Sequence, residues 1–96
     1  MKEVTIEIKN KTGLHARPAA LFVQTASKFS SQIWVEKDNK KVNAKSIMGI
    51  MSLGVSQGNV VKLSAEGDDE EEAIKALVDL IESKFGEELE HHHHHH

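Results

Sequence analysis

His15 is the residue of this sequence best suited to covalent chemistry, because it precedes a predicted helix and Arg17 lies two positions further on. A helix N-terminus presents unpaired backbone N–H groups and the positive end of the helix dipole, and a guanidinium can bind two phosphate oxygens at once. A neutral imidazole at such a place could attack phosphorus and hold the product. Residue type and periodicity alone favour a plainer interpretation, in which His15 and Arg17 are solvated surface side chains beside a helix start.

Ser46 is the second candidate, and it opens a short apolar segment as a helix N-cap serine would. Large apolar side chains crowd the residues that follow it: Ile47, Met48, Met51 and Leu53. The segment is too short to bury them all. Two interpretations have equal weight, one as part of the core and the other as an exposed, adaptable docking patch.

The histidines at residues 91–96 do not count as a metal site, because residues 89–96 have the character of a vector-derived scar and purification tag. Residues 1–88 then form the native domain. The absence of cysteine excludes a disulfide scaffold, a Cys-zinc site and a cysteine nucleophile. The acidic run at residues 68–72 lacks the spacing and the glycine of a calcium-binding loop. The sequence therefore predicts neither a metal site nor a cofactor.

The composition, 39% hydrophobic and 28% charged, suits one small domain that buries a core and stays in solution. A net charge of −3 argues against nucleic acid as the main partner. No apolar run reaches membrane-spanning length, and the alternating, charged residues 1–8 do not have the pattern of a signal peptide. We expect a cytoplasmic protein without direct membrane binding, and nothing in the sequence demands more than a monomer.

The hydrophobic periodicity of the first half switches between strand and helix. Alternation at residues 4–8 predicts a strand, and apolar spacing of i, i+3, i+4 and i+7 from Ala16 onward predicts a helix. Residues 32–37 and 41–44 are predicted as two strands, joined by a tight turn at residues 38–39.

The second half predicts a short helix at residues 46–53, a strand at residues 59–66 and a long amphipathic helix at residues 68–85, with Gly86 as its stop signal. Two residue pairs have capping-box spacing at the start of the long helix: Asp68 with Glu71, and Asp69 with Glu72. The resulting order, β-α-β-β-α-β-α, predicts an α+β domain with a mostly antiparallel sheet and helices on one face.

Two segments of the sequence resemble motifs of the HPr family, the histidine-containing phosphocarriers of the bacterial phosphoenolpyruvate:sugar phosphotransferase system. Residues 13–20, GLHARPAA, resemble the family's active-site motif. Residues 42–54, VNAKSIMGIMSLG, resemble the regulatory serine motif of HPr from low-GC Gram-positive bacteria. The resemblance extends over essentially all of residues 1–88, and Ala44 departs from it where such proteins often carry leucine.

This resemblance implies an open-faced β-sandwich, with four antiparallel strands covered on one face by three helices. It implies a carrier rather than an enzyme: His15 accepts a phosphoryl group on Nδ1 from phosphorylated Enzyme I, Arg17 contacts the phosphate, and the group passes to the IIA domains of sugar permeases. It also implies that Ser46 is phosphorylated by an ATP-dependent HPr kinase/phosphorylase. The Ser46-phosphorylated form would be a poorer carrier and would bind the catabolite control protein as a corepressor.

In this interpretation Ile47, Met48 and Met51 form the shared docking surface. A rival class is the regulatory Crh type, which keeps the serine and lacks the active histidine, so the presence of His15 favours the carrier. A third class is a structural or ligand-binding α+β module without phosphoryl chemistry. In that class His15 would not be phosphorylated when the protein is incubated with phosphoenolpyruvate and Enzyme I.

Overall fold

The computed structural model describes residues 1–86, so the predicted tag at residues 89–96 lies outside the described residues. Four strands are present in these residues: β1 (Lys2–Glu7), β2 (Gln32–Lys37), β3 (Lys40–Asn43) and β4 (Val60–Glu66). The α-helices are α1 (Ala16–Ser27), α2 (Ile47–Ser52) and α3 (Glu70–Glu82), and a single 3-10 turn follows at Lys84–Gly86. The predicted order of elements is confirmed.

The strands form one sheet in the order β1-β4-β2-β3, and every neighbouring pair is antiparallel. Period-two alternation gives the sheet two unlike faces. One face carries buried apolar residues such as Val35 and its partner Leu63, and the helices cover this face. On the other face Lys62 bridges Glu3 and Glu36, at 3.8 and 3.9 Å. The predicted α+β open-faced sandwich is therefore confirmed.

The core lies between the helices and the covered face of the sheet. Phe22 of α1, Ile50 of α2 and Leu77 of α3 are all fully buried there. Ile8 joins them although β1 ends at Glu7, because its N–H donates to the Asn59 carbonyl (2.8 Å) and its own carbonyl accepts from the Gly58 N–H (2.8 Å). Ala44, where the resemblance expects leucine, is also fully buried.

The long C-terminal helix is shorter than its periodicity predicts. It ends at Glu82 rather than at Phe85, and the chain turns at Lys84 and Phe85, whose φ angles are +57° and +55°. This left-handed turn brings Phe85 into the core, where it is 3% exposed. Burial of the aromatic side chain contributes about 1.5–3 kcal/mol and so offsets much of the cost of the turn, about 1–2 kcal/mol for each of the two residues. The predicted stop at Gly86 is therefore wrong.

The predicted capping boxes at the start of α3 are also wrong. Asp69 is the N-cap residue, but its side chain makes no capping bond to the helix. Its carboxylate instead accepts hydrogen bonds from the backbone N–H groups of Ser30 and Ser31, both at 2.9 Å. Glu70 reaches back to the Gly67 N–H at 3.1 Å. A tertiary contact has taken the carboxylate that local spacing assigned to the helix end.

None of the helices within residues 1–86 combines the length and apolar character needed to span a bilayer.

Candidate functional site

His15 is the N-cap residue of α1 and is exposed. Its backbone is extended, with φ −125° and ψ 152°, and its side chain makes no hydrogen bond to the helix. The imidazole therefore does not cap the helix. Arg17, the second residue of the helix, is also exposed, and the first turn holds no acidic residue. The positive end of this helix is offset by no carboxylate of its own turn, an arrangement that favours an anion from outside.

Ala16 links His15 to the helix in a left-handed conformation, with φ +51°. A residue with a Cβ loses about 1–2 kcal/mol in this region, and such residues cluster at functional sites. The residue turns the chain abruptly from the extended His15 into α1. Sequence reasoning missed this feature, because alanine after histidine carries no turn signal.

The loop before His15 is held against a second loop, at residues 54–56. The Leu14 N–H donates to the Val55 carbonyl at 3.1 Å, and the Leu14 side chain is fully buried. Gly13 has φ +63°, and a Cβ added to it would lie 2.2 Å from the Val55 carbonyl oxygen. Asn10, fully buried, donates its side-chain amide to the Gly13 carbonyl at 2.8 Å. Gly13 is thus required by the close approach of two backbones as well as by its φ.

Ser46 is the N-cap residue of α2, as predicted. Its Oγ accepts a hydrogen bond from the Gly49 N–H at 3.1 Å, and its backbone carbonyl accepts from the Ile50 N–H at 3.0 Å. The residue is exposed. The hydroxyl therefore lies at the surface, beside the backbone N–H groups of a helix start.

The apolar residues of this segment divide between core and surface, so neither interpretation holds for all of them, and docking on the exposed ones stays a prediction. Ile50 and Leu53 face the core. The exposed ones are Ile47 at 42%, Met48 at 81% and Met51 at 44%. We call these three the α2 patch. The helix that carries it packs against α1, which His15 begins. The structure thus brings the helices that follow His15 and Ser46 into contact. The apolar side chains of the α2 patch remain exposed to solvent.

Within residues 1–86, no three His, Cys, Asp or Glu side chains gather in a group that could hold a metal ion.

The chain matches the family model described as PTS HPr component phosphorylation site over residues 2–83. It is 58% identical over 84 residues to the HPr-like protein Crh of Halalkalibacterium halodurans, covering 88% of this chain and 100% of that one. The crystal structure of the phosphocarrier protein HPr from Bacillus anthracis is similar with a TM-score of 0.82 and 50% identity, covering 83% of this chain and 95% of that one.

The crystal structure of Crh from Bacillus subtilis, described as a swapped, intertwined dimer, is similar with a TM-score of 0.70 and 55% identity, covering 88% of this chain and 97% of that one. The match over nearly all of the described residues, in both sequence and fold, decides the family. The chain belongs to the HPr family of phosphocarrier proteins of the phosphotransferase system, which carry a phosphoryl group and are not themselves enzymes.

Proposed function

We propose that His15 accepts a phosphoryl group from phosphorylated Enzyme I and passes it to the IIA domains of sugar permeases in the cytoplasm. The observation that carries this proposal is an exposed imidazole, free of capping duty, at a helix N-terminus without acidic residues in its first turn. The Nδ1 lone pair of neutral His15 forms a bond to phosphorus while the bond from phosphorus to Enzyme I breaks. Onward transfer reverses the roles, with His15 as the leaving group.

The surroundings of His15 supply stabilisation for the transferred anion. The N–H groups of the first turn of α1 have no intrahelical acceptor, so they can donate to phosphoryl oxygens. Arg17 adds a planar guanidinium that can bind two of those oxygens. The backbone N–H groups are fixed by the helix before the phosphoryl group arrives, so this part of the stabilisation requires little reorganisation of the protein.

The α2 patch is the surface on which we place docking of Enzyme I, the IIA domains and HPr kinase/phosphorylase. Ile47, Met48 and Met51 are large apolar side chains that remain exposed. Two of the three are flexible, polarisable methionines, which can repack against differently shaped partners. A single surface can therefore serve several partners in turn.

Ser46 is proposed as the site at which HPr kinase/phosphorylase regulates the carrier, with the phosphorylated form acting as a corepressor bound to the catabolite control protein. A phosphate adds about −1.5 to −2 charges at pH 7, and a helix N-terminus accommodates negative charge. Phosphorylation should therefore leave the fold intact and act on docking, because Ser46 immediately precedes the α2 patch.

A regulatory protein of the Crh type is the second candidate, and one observation favours it: a Crh protein is among the close relatives, at 58% identity. In this candidate Ser46 would keep its role and His15 would receive no phosphoryl group. We favour the carrier because its nucleophile is present. We also propose a monomer, in contrast to the Crh dimer, and light scattering of the protein without residues 89–96 would test that assignment.

The deciding experiment incubates protein without the histidine tail with phosphoenolpyruvate and Enzyme I, and measures its mass. We expect one added phosphoryl group that is lost in acid and absent from His15→Ala. Ser46→Ala is the matched control and should be labelled like the parent protein. Labelling of His15→Ala, or no labelling of the parent, contradicts the proposal.

Ser46→Asp tests the regulatory part separately. We expect weaker binding to Enzyme I with no loss of thermal stability, because the added charge lies at a helix N-terminus. Titration calorimetry and a thermal melt measure the two quantities. Unchanged affinity, or a clear fall in Tm, would count against this account.

A further inference from the structure

We infer that Lys37 and Lys40 are positioning residues for docking: their ammonium groups clasp the carbonyls of Ser52, the last residue of α2, and of the two residues that follow it, and so fix the orientation of the α2 patch. The inference deepens the proposed function, because it rests on the α2 patch being the docking surface.

The need for such a clasp follows from the length of α2. The helix has six residues, fewer than two turns, and an isolated helix of this length is not stable in water. Its orientation must therefore come from contacts with the rest of the domain. Ile50 and Leu53 anchor its inner side in the core. A buried stripe alone leaves the helix free to tilt, and its three patch residues would tilt with it.

The carbonyl groups at the end of α2 are satisfied one after another. The Gly49 carbonyl accepts from Ser52 Oγ at 2.7 Å. The Ile50 and Met51 carbonyls accept from the next backbone N–H groups, those of Leu53 and Gly54, at 3.2 and 3.3 Å. These three carbonyls thus find donors in the helix and in the two residues after it, as is common in the tightened last turn of a helix.

The next three carbonyls have no acceptor role within the helix, and the two lysines take them. Lys40 Nζ donates to the Ser52 carbonyl at 3.2 Å. Lys37 Nζ lies 3.4 Å from the Leu53 carbonyl oxygen and 3.2 Å from that of Gly54. Cations at a helix C-terminus also interact favourably with the negative end of the dipole. The clasp thus stabilises and orients the end of α2.

The hairpin that carries the lysines explains why they reach α2. Lys37 lies two residues after the buried Val35, and its sheet partner Lys40 lies two residues before Val42, so both belong to the helix-covered face. The Lys37 side chain is only 19% exposed. Its Nζ also lies 3.7 Å from a carboxylate oxygen of Asp38. Lys41, on the opposite face, stacks over the Trp34 ring at 4.8 Å from the ring centroid.

The clasp also reaches toward His15. The carbonyl next in the chain after the three clasped ones is that of Val55, which accepts the Leu14 N–H at 3.1 Å. The segment that follows α2 is therefore bonded both to the hairpin lysines and to the loop that precedes His15. Through this segment the clasp links the α2 patch to the loop of the proposed phosphoryl acceptor.

The test measures KM and kcat for phosphorylation by phosphorylated Enzyme I in Lys37→Met, Lys40→Met and the double variant. Methionine keeps an apolar stem and removes the ammonium group. We expect KM to rise about five- to tenfold in the double variant, with kcat unchanged. Lys37→Arg should restore most of the affinity, and Lys41→Met is the matched control, since it removes a lysine from the same hairpin without touching α2. A double variant with the parent KM overturns the inference.

Two further measurements separate this inference from the proposed docking surface. Met48→Ala should raise KM by itself; if it does not, the α2 patch is not the docking surface and the proposed function fails on that point. Amide hydrogen exchange at residues 47–54 reports the clasp independently of any partner. Faster exchange in the double variant than in Lys41→Met supports the clasp, and equal exchange overturns it whatever the docking result.

Discussion

The two long helices of this protein begin in opposite ways. The first turn of α3 contains Glu70, Glu71 and Glu72, and the carboxylate of Glu70 accepts the Gly67 N–H at 3.1 Å. The first turn of α1 has no acidic residue, and the side chain at its N-cap, His15, bonds to nothing in the helix. Both ends carry the same partial positive charge. Of these two ends, only the one at α1 has no carboxylate in its first turn.

The carboxylates at the start of α3 bond to residues that precede the helix. The Asp69 carboxylate accepts hydrogen bonds from the hydroxyl of Ser31 and from the backbone N–H groups of Ser30 and Ser31. The Ser31 hydroxyl, followed by the Ser30 N–H, lowers the pKa of Asp69 from 3.8 to about 2. The N–H of Gly67 similarly lowers the pKa of Glu70. The carboxylates at the start of α3 thus take part in structural contacts, whereas the first turn of α1 contains no carboxylate.

The largest expected effect is on the rate of phosphoryl transfer and comes from Arg17, in the first turn of α1. Arg17→Ala should slow phosphoryl transfer from Enzyme I by about 10- to 150-fold, because a hydrogen bond to a charged group contributes about 1.5–3 kcal/mol. Arg17→Lys should recover only part of this loss, since an ammonium group lacks the planar two-oxygen contact. Rapid-quench kinetics measure the rates. An Arg17→Lys variant as fast as the parent would mean that Arg17 supplies charge alone.

The next prediction concerns Gly67, before α3, where an added side chain would clash with Ser31 and destabilise the fold. A Cβ at Gly67 would lie 2.5 Å from Ser31 Oγ and 2.7 Å from Ser31 Cα, so Gly67→Ala should lower the free energy of unfolding by about 1–3 kcal/mol. Gly58→Ala is a useful control, because its Cβ meets nothing within 4 Å and only its φ of +90° is unfavourable. Urea denaturation compares the two. Equal losses would show that the contact with Ser31 is not the cause.

The pH dependence of stability sharpens the comparison further. Because the pKa of Asp69 is lowered from 3.8 to about 2 on folding, its contribution is complete above pH 4 and is lost as the pH falls toward 2. Asp69→Asn should remove this part of the acid-induced loss. Thermal melts between pH 2 and pH 7 measure it, with phosphoryl transfer at pH 7 as a control that should stay normal. A variant with the parent's acid profile would contradict the assignment.

The smallest expected effect concerns the backbone beside His15. Ala16→Gly removes a left-handed strain of about 1–2 kcal/mol and adds an entropic cost of about 0.5–1 kcal/mol in the unfolded chain. The variant should therefore be stabilised by about 0–1.5 kcal/mol. Ala20→Gly, inside the same helix, should be destabilised instead. Chemical denaturation of both variants decides whether the sign differs between the two positions.

The sequence predicted much of the fold because its signals are local. Alternation of Val61 and Leu63 identified a strand with one buried face, and the spacing around Phe22 and Leu77 identified two amphipathic helices. Ser46 was predicted as an N-cap, and its Oγ indeed accepts the Gly49 N–H. Such patterns act over three or four residues, so the chain encodes them without reference to distant parts.

The candidate site was predicted in part. The types and order of His15 and Arg17 indicated an anion-binding helix start; the structure places His15 at the N-cap of α1 and Arg17 in its first turn, and anion binding stays a prediction. The left-handed backbone of Ala16 and the hydrogen bond from Leu14 to Val55 could not be predicted, because neither residue type demands them. Both depend on how the loop before α1 meets the loop after α2.

What the sequence by itself determined is the order of the elements and their amphipathic faces, and it placed the candidate residues His15 and Ser46 at helix starts. The tertiary structure alone decided that the Asp69 carboxylate bonds to Ser31, 38 positions away in the sequence. It also decided that Lys37 donates to carbonyls 16 and 17 positions away. It also decided that α3 ends early so that Phe85 enters the core. Local patterns specify which groups need partners, and only packing of the whole chain determines which partners come within hydrogen-bonding distance.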